Sequence, residues 1–261
     1  MDLELRGKTV LVTGASKGIG YACAAGFAAE GCRLHIASRS AAALDEARGK
    51  LINQFGVEVK CHAYDLSVTA NTVALARECG DIDILVNNAG AIPAGSIDQI
   101  DDEKWRRAWD LKVFGYINLT RDVYARMCAR GTGVIVNVIG MAGERNRPEY
   151  IAGSSANAGL MAFSRALGAA SVDHGVRVIG VNPGRIETER QVEAVMDAAE
   201  RKLGDRARWK EMMAQLTSTS PFKRFGRPDE VADLVVYLAS ARASYTSATV
   251  VNIDAGQSLR S

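Results

Sequence analysis

Apolar runs rich in β-branched residues recur seven times along this chain, and most gaps between them carry helical periodicity. The runs are KTVLVT at 8–13, RLHIA at 33–37, VEVKCHAY at 57–64, IDILVN at 82–87, GVIVNVI at 133–139, VRVIGVN at 176–182 and ATVVNID at 248–254. Ala- and Leu-rich stretches such as YACAAGFAAEG, ending on Gly31, fall between them. A strand that is apolar along its whole length must be covered on both faces. Such strands alternating with helices predict an α/β chain, a doubly wound parallel sheet of about seven strands with helices on both faces. The 261 residues suffice to bury a full core, and no linker or composition break divides them, so residues 1–261 are read as one domain.

Most runs end in small or polar residues: Thr13-Gly14, Ser38-Arg39, Asp65, Asn87-Asn88, Gly140 and Asn182-Pro183-Gly184. In open α/β sheets the ligand sits outside the carboxyl ends of the strands, which puts these residues on the functional edge.

Charge and composition narrow the partners. Net charge is +2, spread along the chain, which points to neither a nucleic-acid footprint nor a membrane patch. The N-terminus MDLELRGKTV has no apolar core of a signal peptide, and no apolar run reaches membrane-spanning length. The cysteines Cys23, Cys32, Cys61, Cys79 and Cys128 are scattered, odd in number and without a CxxC pair, so a reducing cytoplasm is expected and a disulfide framework is not. His35, His62 and His174 stand apart in sequence and show no metal-ligand spacing, so no metal site is expected.

The first run leads directly into TGASKGIG at 13–20, which opens a helix. Gly14 permits a tight turn, Gly18 lets backbone approach a pyrophosphate, and Gly20 allows close helix–strand packing, with Ser16, Lys17 and Ile19 between them. Phosphate would then sit at the helix N-terminus, on free N–H groups and the positive end of the dipole. The second run ends IASRS, with Ser38 where a site selecting NAD(H) places a carboxylate for the ribose 2′-hydroxyl, and Arg39 follows it. A guanidinium fork matches a 2′-phosphate in shape and charge, and Lys17 adds a second cation. NADP(H) is therefore expected in preference to NAD(H).

TGASKGIG, DL at 65–66, NNAG at 87–90, VNPGRIET at 181–188, RFGRPDEVADLVVYLAS at 224–240 and DAG at 254–256 together resemble the short-chain dehydrogenase/reductase family over nearly the whole chain. The resemblance implies a Rossmann-type domain in which Asp65 and Leu66 flank the adenine and Asn88, Ala89 and Gly90 line the adenine-ribose side. It implies nicotinamide contacts from Ile186 and Thr188 in the loop after Pro183 and Gly184. It also implies a small-molecule substrate and a homo-oligomer, a dimer or tetramer.

Family chemistry uses an asparagine, a serine, a tyrosine and a lysine. The register set by Trp105, by IVNVIGMAG and by GSSANAGLMAFSRAL places these four at Lys112, Gly140, Gly153 and Asn157, and Gly140 and Gly153 keep the usual thirteen-residue spacing. The resemblance thus implies a divergent member in which all four positions are changed. Tyr150, three residues before Gly153, lies about 4.5 Å away along a helix axis and is a candidate acid, although its neighbour Ser154 supplies no lysine. A lysine at 112 points toward the site in the family frame and is the second candidate. Glu144, Arg145 and Glu187 are the remaining ionisable groups nearby and read first as charged surface, while Ser154 and Ser155 offer hydroxyls but no base.

Residues 189–219 show helical apolar spacing, and the resemblance implies a substrate lid there, with Trp209, Met212 and Met213 as an apolar inner face. Three functions are then open: an NADP(H) oxidoreductase on a small carbonyl or alcohol with atypical proton transfer, a non-redox lyase or isomerase, and a catalytically silent NADP(H)-binding sensor or partner subunit. The intact cofactor motifs favour the first.

Overall fold

The computed structural model describes residues 1–259. Seven strands form one parallel sheet: β1 (Thr9–Thr13), β2 (Arg33–Ser38), β3 (Val59–Ala63), β4 (Ile84–Asn87), β5 (Gly133–Val138), β6 (Val176–Pro183) and β7 (Thr249–Ile253). Their spatial order is β3-β2-β1-β4-β5-β6-β7, so the winding reverses between β1 and β4. Each strand falls inside or within one residue of an apolar run, with the largest trimming at β3, whose outer residues have only one neighbouring strand to pair with.

Among the described residues there are nine α-helices, most of which cover the sheet. On one face α1 (Gly18–Ala29), α2 (Ala41–Phe55) and α9 (Pro228–Ala239) bury Phe27, Leu44, Leu51, Val231 and Val235 against Val10, Val12, Leu34 and Ile36. On the other, α3 (Thr69–Cys79) and α5 (Gly115–Arg130) bury Leu75, Leu119, Val123 and Met127 against Leu11, Leu85 and Ile135. Alternate residues of each strand go to opposite faces, which is why the strands read as continuous apolar runs. On the second face α6 (Ile151–Ser171) packs beside α5 through Tyr116, Leu160 and Met161.

Two departures from regular helix concern the functional edge. The segment around Lys112 is α4 (Asp102–Trp109), then a π-helical turn over Asp110–Phe114, then α5. A π-turn is seldom retained without a positional reason and often marks a functional site. The expected lid is a helical arm, α7 (Glu189–Leu203) and α8 (Trp209–Ser218). Its apolar residues pack inward on one another and on Phe225: Met212 is buried among Val195 and Ala199, with Trp209 and Met213 against the same cluster. The apolar face expected to cover substrate is consumed inside the arm, because two short helices must bury their own stripes first.

Candidate active site

The glycine loop is built by packing that excludes side chains. Gly14 has φ +66°, and a Cβ on Gly20 would lie 2.2 Å from the Gly14 carbonyl oxygen and 2.5 Å from Asn88 Nδ2. Thr13 Oγ1 accepts from the backbone N–H of Asn88 (2.9 Å) and Ala89 (3.1 Å), and Asn88 Nδ2 donates to the Thr13 carbonyl (3.1 Å). The glycine loop and the NNAG segment are thus locked together at the point where the sheet reverses, the position at which doubly wound folds bind dinucleotides. Lys17 at the N-cap of α1 and Arg39 after β2 are both exposed. Lys17 also lies 4.0 Å from Glu189, a pair too exposed to hold it firmly. Asp65 accepts from Ser67 N and Oγ, and its pKa is lowered: these bonds and the positive charge of Arg39 outweigh its partial burial.

In the loop where nicotinamide contacts were expected, Gly184 N donates to the Ile253 carbonyl (3.0 Å), Ile186 is buried, and Thr188 Oγ1 caps α7 by accepting from Gln191 N (3.2 Å). A Cβ on Gly18 would touch Thr188 Cγ2 at 3.4 Å, so the glycine loop and the start of the arm face each other across a narrow gap.

The four positions that the resemblance assigns to the family chemistry lie near one another. Lys112 is half-buried at the π-turn; its stem lies along Gly90, where a Cβ would meet Cδ at 2.9 Å. Its ammonium donates to the Ile139 carbonyl at 2.6 Å, one residue before Gly140, and so faces the site rather than bulk water. Burial, helped by the nearby Arg190 guanidinium, lowers its pKa from 10.5 to about 8. Gly140 has φ +127°, a conformation in which a serine would be strained, and its absent Cβ would lie 3.1 Å from Asn157 Nδ2. Asn157 is buried, and its Oδ1 has no hydrogen-bond partner among the described residues.

Tyr150 stands at the N-cap position of α6, and its ring folds back over Gly153. A Cβ there would lie 1.9 Å from Tyr150 Cε1 and 2.2 Å from Cζ. The phenol of residue 150 therefore occupies the space in which a side chain of residue 153 would begin. Burial raises its pKa, and Arg190 works against that shift.

Arg190, from the first turn of α7, was not foreseen from the sequence. Its guanidinium donates to the carbonyls of Gly90 (3.2 Å) and Ile92 (2.8 Å), tying the arm to the segment after β4. Partners 98 and 100 residues apart leave no local pattern to find. Glu144 accepts from Asn252 Nδ2 (2.7 Å) and from Nδ2 of Asn182 (3.5 Å), whose Oδ1 accepts from Gly140 N (3.4 Å), and Arg145 donates to the Gln257 carbonyl (3.1 Å). Glu187 is exposed. Ser154 accepts from Arg147 N (3.2 Å) and Ser155 donates to the Ile151 carbonyl (3.0 Å), so both serines serve the helix start.

Elsewhere, two histidines expected to stand apart do not. His35 and His62 lie in neighbouring strands, with Nδ1 and Nε2 2.9 Å apart, because the parallel register of β2 and β3 brings them to one face. Among the described residues, no helix is long and apolar enough to cross a membrane.

A reversing parallel sheet with a glycine loop at the switch point defines a dinucleotide-binding α/β protein of Rossmann type. Residues 8–199 match the short chain dehydrogenase model, and the chain belongs to that family. It is 33% identical over 255 residues to galactitol 2-dehydrogenase (L-tagatose-forming) of Cereibacter sphaeroides, covering 97% of this chain and 96% of that one. It is 31% identical over 261 residues to a 3-oxoacyl-[acyl-carrier-protein] reductase of Thermotoga maritima, covering 97% and 99%. The structure resembles that of L-sorbose reductase from Gluconobacter frateurii complexed with NADPH and L-sorbose, with TM-score 0.94, 32% identity and 100% of both chains covered.

Proposed function

We propose that the protein is an NADP(H)-dependent oxidoreductase interconverting a small polyhydroxy ketone and its alcohol, with Lys112 as proton donor in place of the family's tyrosine. The observation that carries this reading is the Lys112 ammonium, anchored on the Ile139 carbonyl between Gly90 and Gly140 with its pKa near 8. A general acid works best with a pKa close to the operating pH, and an ordinary lysine is too weak an acid for that. The similarity to galactitol and L-sorbose enzymes supports the substrate class.

The residues present fit a nicotinamide cofactor. Asn157 offers a buried acceptor without a donor, which suits a ribose hydroxyl. Arg39, with Lys17 beside the glycine loop, supplies the charge for a 2′-phosphate, which underlies the preference for NADP(H). When bound, the cofactor supplies a hydride to the carbonyl carbon. Lys112 then delivers a proton to the carbonyl oxygen and regains one from water, so that the carbonyl gains one hydride and one proton. Tyr150, its ring fixed over Gly153, bounds the pocket and offers its hydroxyl for orientation, while its raised pKa makes it the weaker acid.

The test pairs binding with turnover. NADPH and NADH are titrated by fluorescence, and NADPH oxidation is then followed with a panel of ketoses including L-sorbose and L-tagatose. The expected result is tighter NADPH binding with turnover of at least one ketose, and a loss of about 10²- to 10⁴-fold in kcat for Lys112→Met at unchanged NADPH affinity. Tight NADPH binding without turnover of any ketose would make the protein a silent cofactor binder instead.

A further inference from the structure

The β2–β3 edge of the sheet carries a cluster that the cofactor chemistry does not use. His35 Nδ1, His62 Nε2 and Cys79 Sγ all lie within 4.8 Å of one another, and all three residues are buried. His35 and His62 lie on the face covered by α3, and Cys79 is the last residue of that helix. The two imidazoles are nearly parallel (7°), with centroids 5.1 Å apart and nitrogens 2.9 Å apart. That gap between centroids is the nitrogen contact plus two ring radii, so the rings meet end to end rather than face to face.

The protons in this cluster are over-supplied. Glu78 Oε2 accepts from His62 Nδ1 (3.1 Å), and Glu78 Oε1 accepts from the Tyr64 hydroxyl (2.5 Å). The carboxylate therefore fixes the His62 proton on the outer nitrogen and leaves Nε2 as a bare lone pair facing inward. His35 Nδ1 at 2.9 Å and the Cys79 thiol at 3.7 Å both point their donors at that single lone pair. A cation would use all three groups as ligands in place of the two competing protons. A carboxylate behind a ligating histidine is also the arrangement that orients imidazoles on metals.

We infer that His35 Nδ1, His62 Nε2 and Cys79 Sγ form a binding site for a borderline-soft divalent cation, zinc, with a water in the fourth position. Tetrahedral zinc with ordinary bond lengths separates two nitrogens by about 3.3 Å and a nitrogen from a sulfur by about 3.6 Å. The Cys79–His62 separation of 3.7 Å already fits, and the histidine pair must open by about 0.4 Å, which exchanges their hydrogen bond for two metal bonds. The thiolate and Glu78 together balance the charge of the ion. Held there, the ion ties edge strand β3 to β2 and to the end of α3, with its ligand His62 three residues before Asp65.

The test uses the full-length protein, freed of metal with a chelator and titrated with cobalt(II) as a spectroscopic substitute, followed by displacement with zinc(II). One equivalent is expected to give intense visible bands of tetrahedral cobalt, with a thiolate-to-cobalt charge-transfer band in the near ultraviolet. Cys79→Ser removes the charge-transfer band, and Cys128→Ser leaves it unchanged. Glu78→Gln, at a side chain 45% exposed, weakens cobalt binding by about 10- to 100-fold. Weak octahedral-type absorption, a charge-transfer band that survives Cys79→Ser, or unaltered affinity in Glu78→Gln would each overturn the assignment. Should Cys79→Ser fail to fold, the Glu78→Gln affinity decides alone.

Discussion

Lys112 carries its chemistry in where its proton sits. The unfolded chain keeps that proton up to about 10.5 and the folded chain releases it near 8, so this residue makes stability rise as pH climbs from about 8 to 10.5. Chemical denaturation across that window should show the stability of the wild type rising relative to that of Lys112→Met. Ketone reduction needs the protonated form and is expected to fall as pH passes about 8, with alcohol oxidation rising over the same range; the pH profiles of kcat in both directions check this. Asn157→Leu removes a buried acceptor without a donor, so unfolding is expected to show unchanged stability or a gain of about 1 kcal/mol. The same change should weaken NADPH about fivefold, the worth of one lost hydrogen bond, as read by titration. At Gly20 the close approach to the Gly14 carbonyl makes even alanine too large, and Gly20→Ala should cost about 1–3 kcal/mol in denaturant unfolding.

At the scale of elements, the arm of α7 and α8 owes its position to few links. Its apolar residues pack on themselves, and Arg190 is its main tie to the rest of the site. Arg190→Ala should free the first turn of α7, seen as faster amide exchange there with the exchange of β4 and β5 unchanged. The π-turn at 110–114 has a similar positional role. It adds a residue to the helical path and directs Lys112 along Gly90 toward Ile139. The widened turn was not legible in the sequence, because its wider ring of backbone bonds has no side-chain signature.

For the whole molecule, the outward face of α6 bears on assembly. Ser155, Ala158, Gly159, Ala162 and Ala166 are all exposed, and this row of small side chains permits close helix–helix approach. A homo-oligomer formed through this face is expected, with light scattering giving a dimer or tetramer and Ala162→Glu shifting it to monomer. The same scale explains what was readable of the site. The glycine loop, NNAG and the loop after Pro183 lie at strand ends, and strand ends follow from the order of apolar runs. The strand ends that carry these segments could therefore be located from sequence.

Sequence by itself determined the alternation of strands and helices and the parallel sheet. Each of these follows from local periodicity and from spacing counted along the chain. Only the tertiary structure decided that the ring of Tyr150 fills the space above Gly153, that Lys112 turns inward to Ile139, and that Arg190 reaches Gly90. It alone brought His35, His62 and Cys79 together. These contacts join residues on different elements, and strand register and helix packing set them rather than neighbours in the chain.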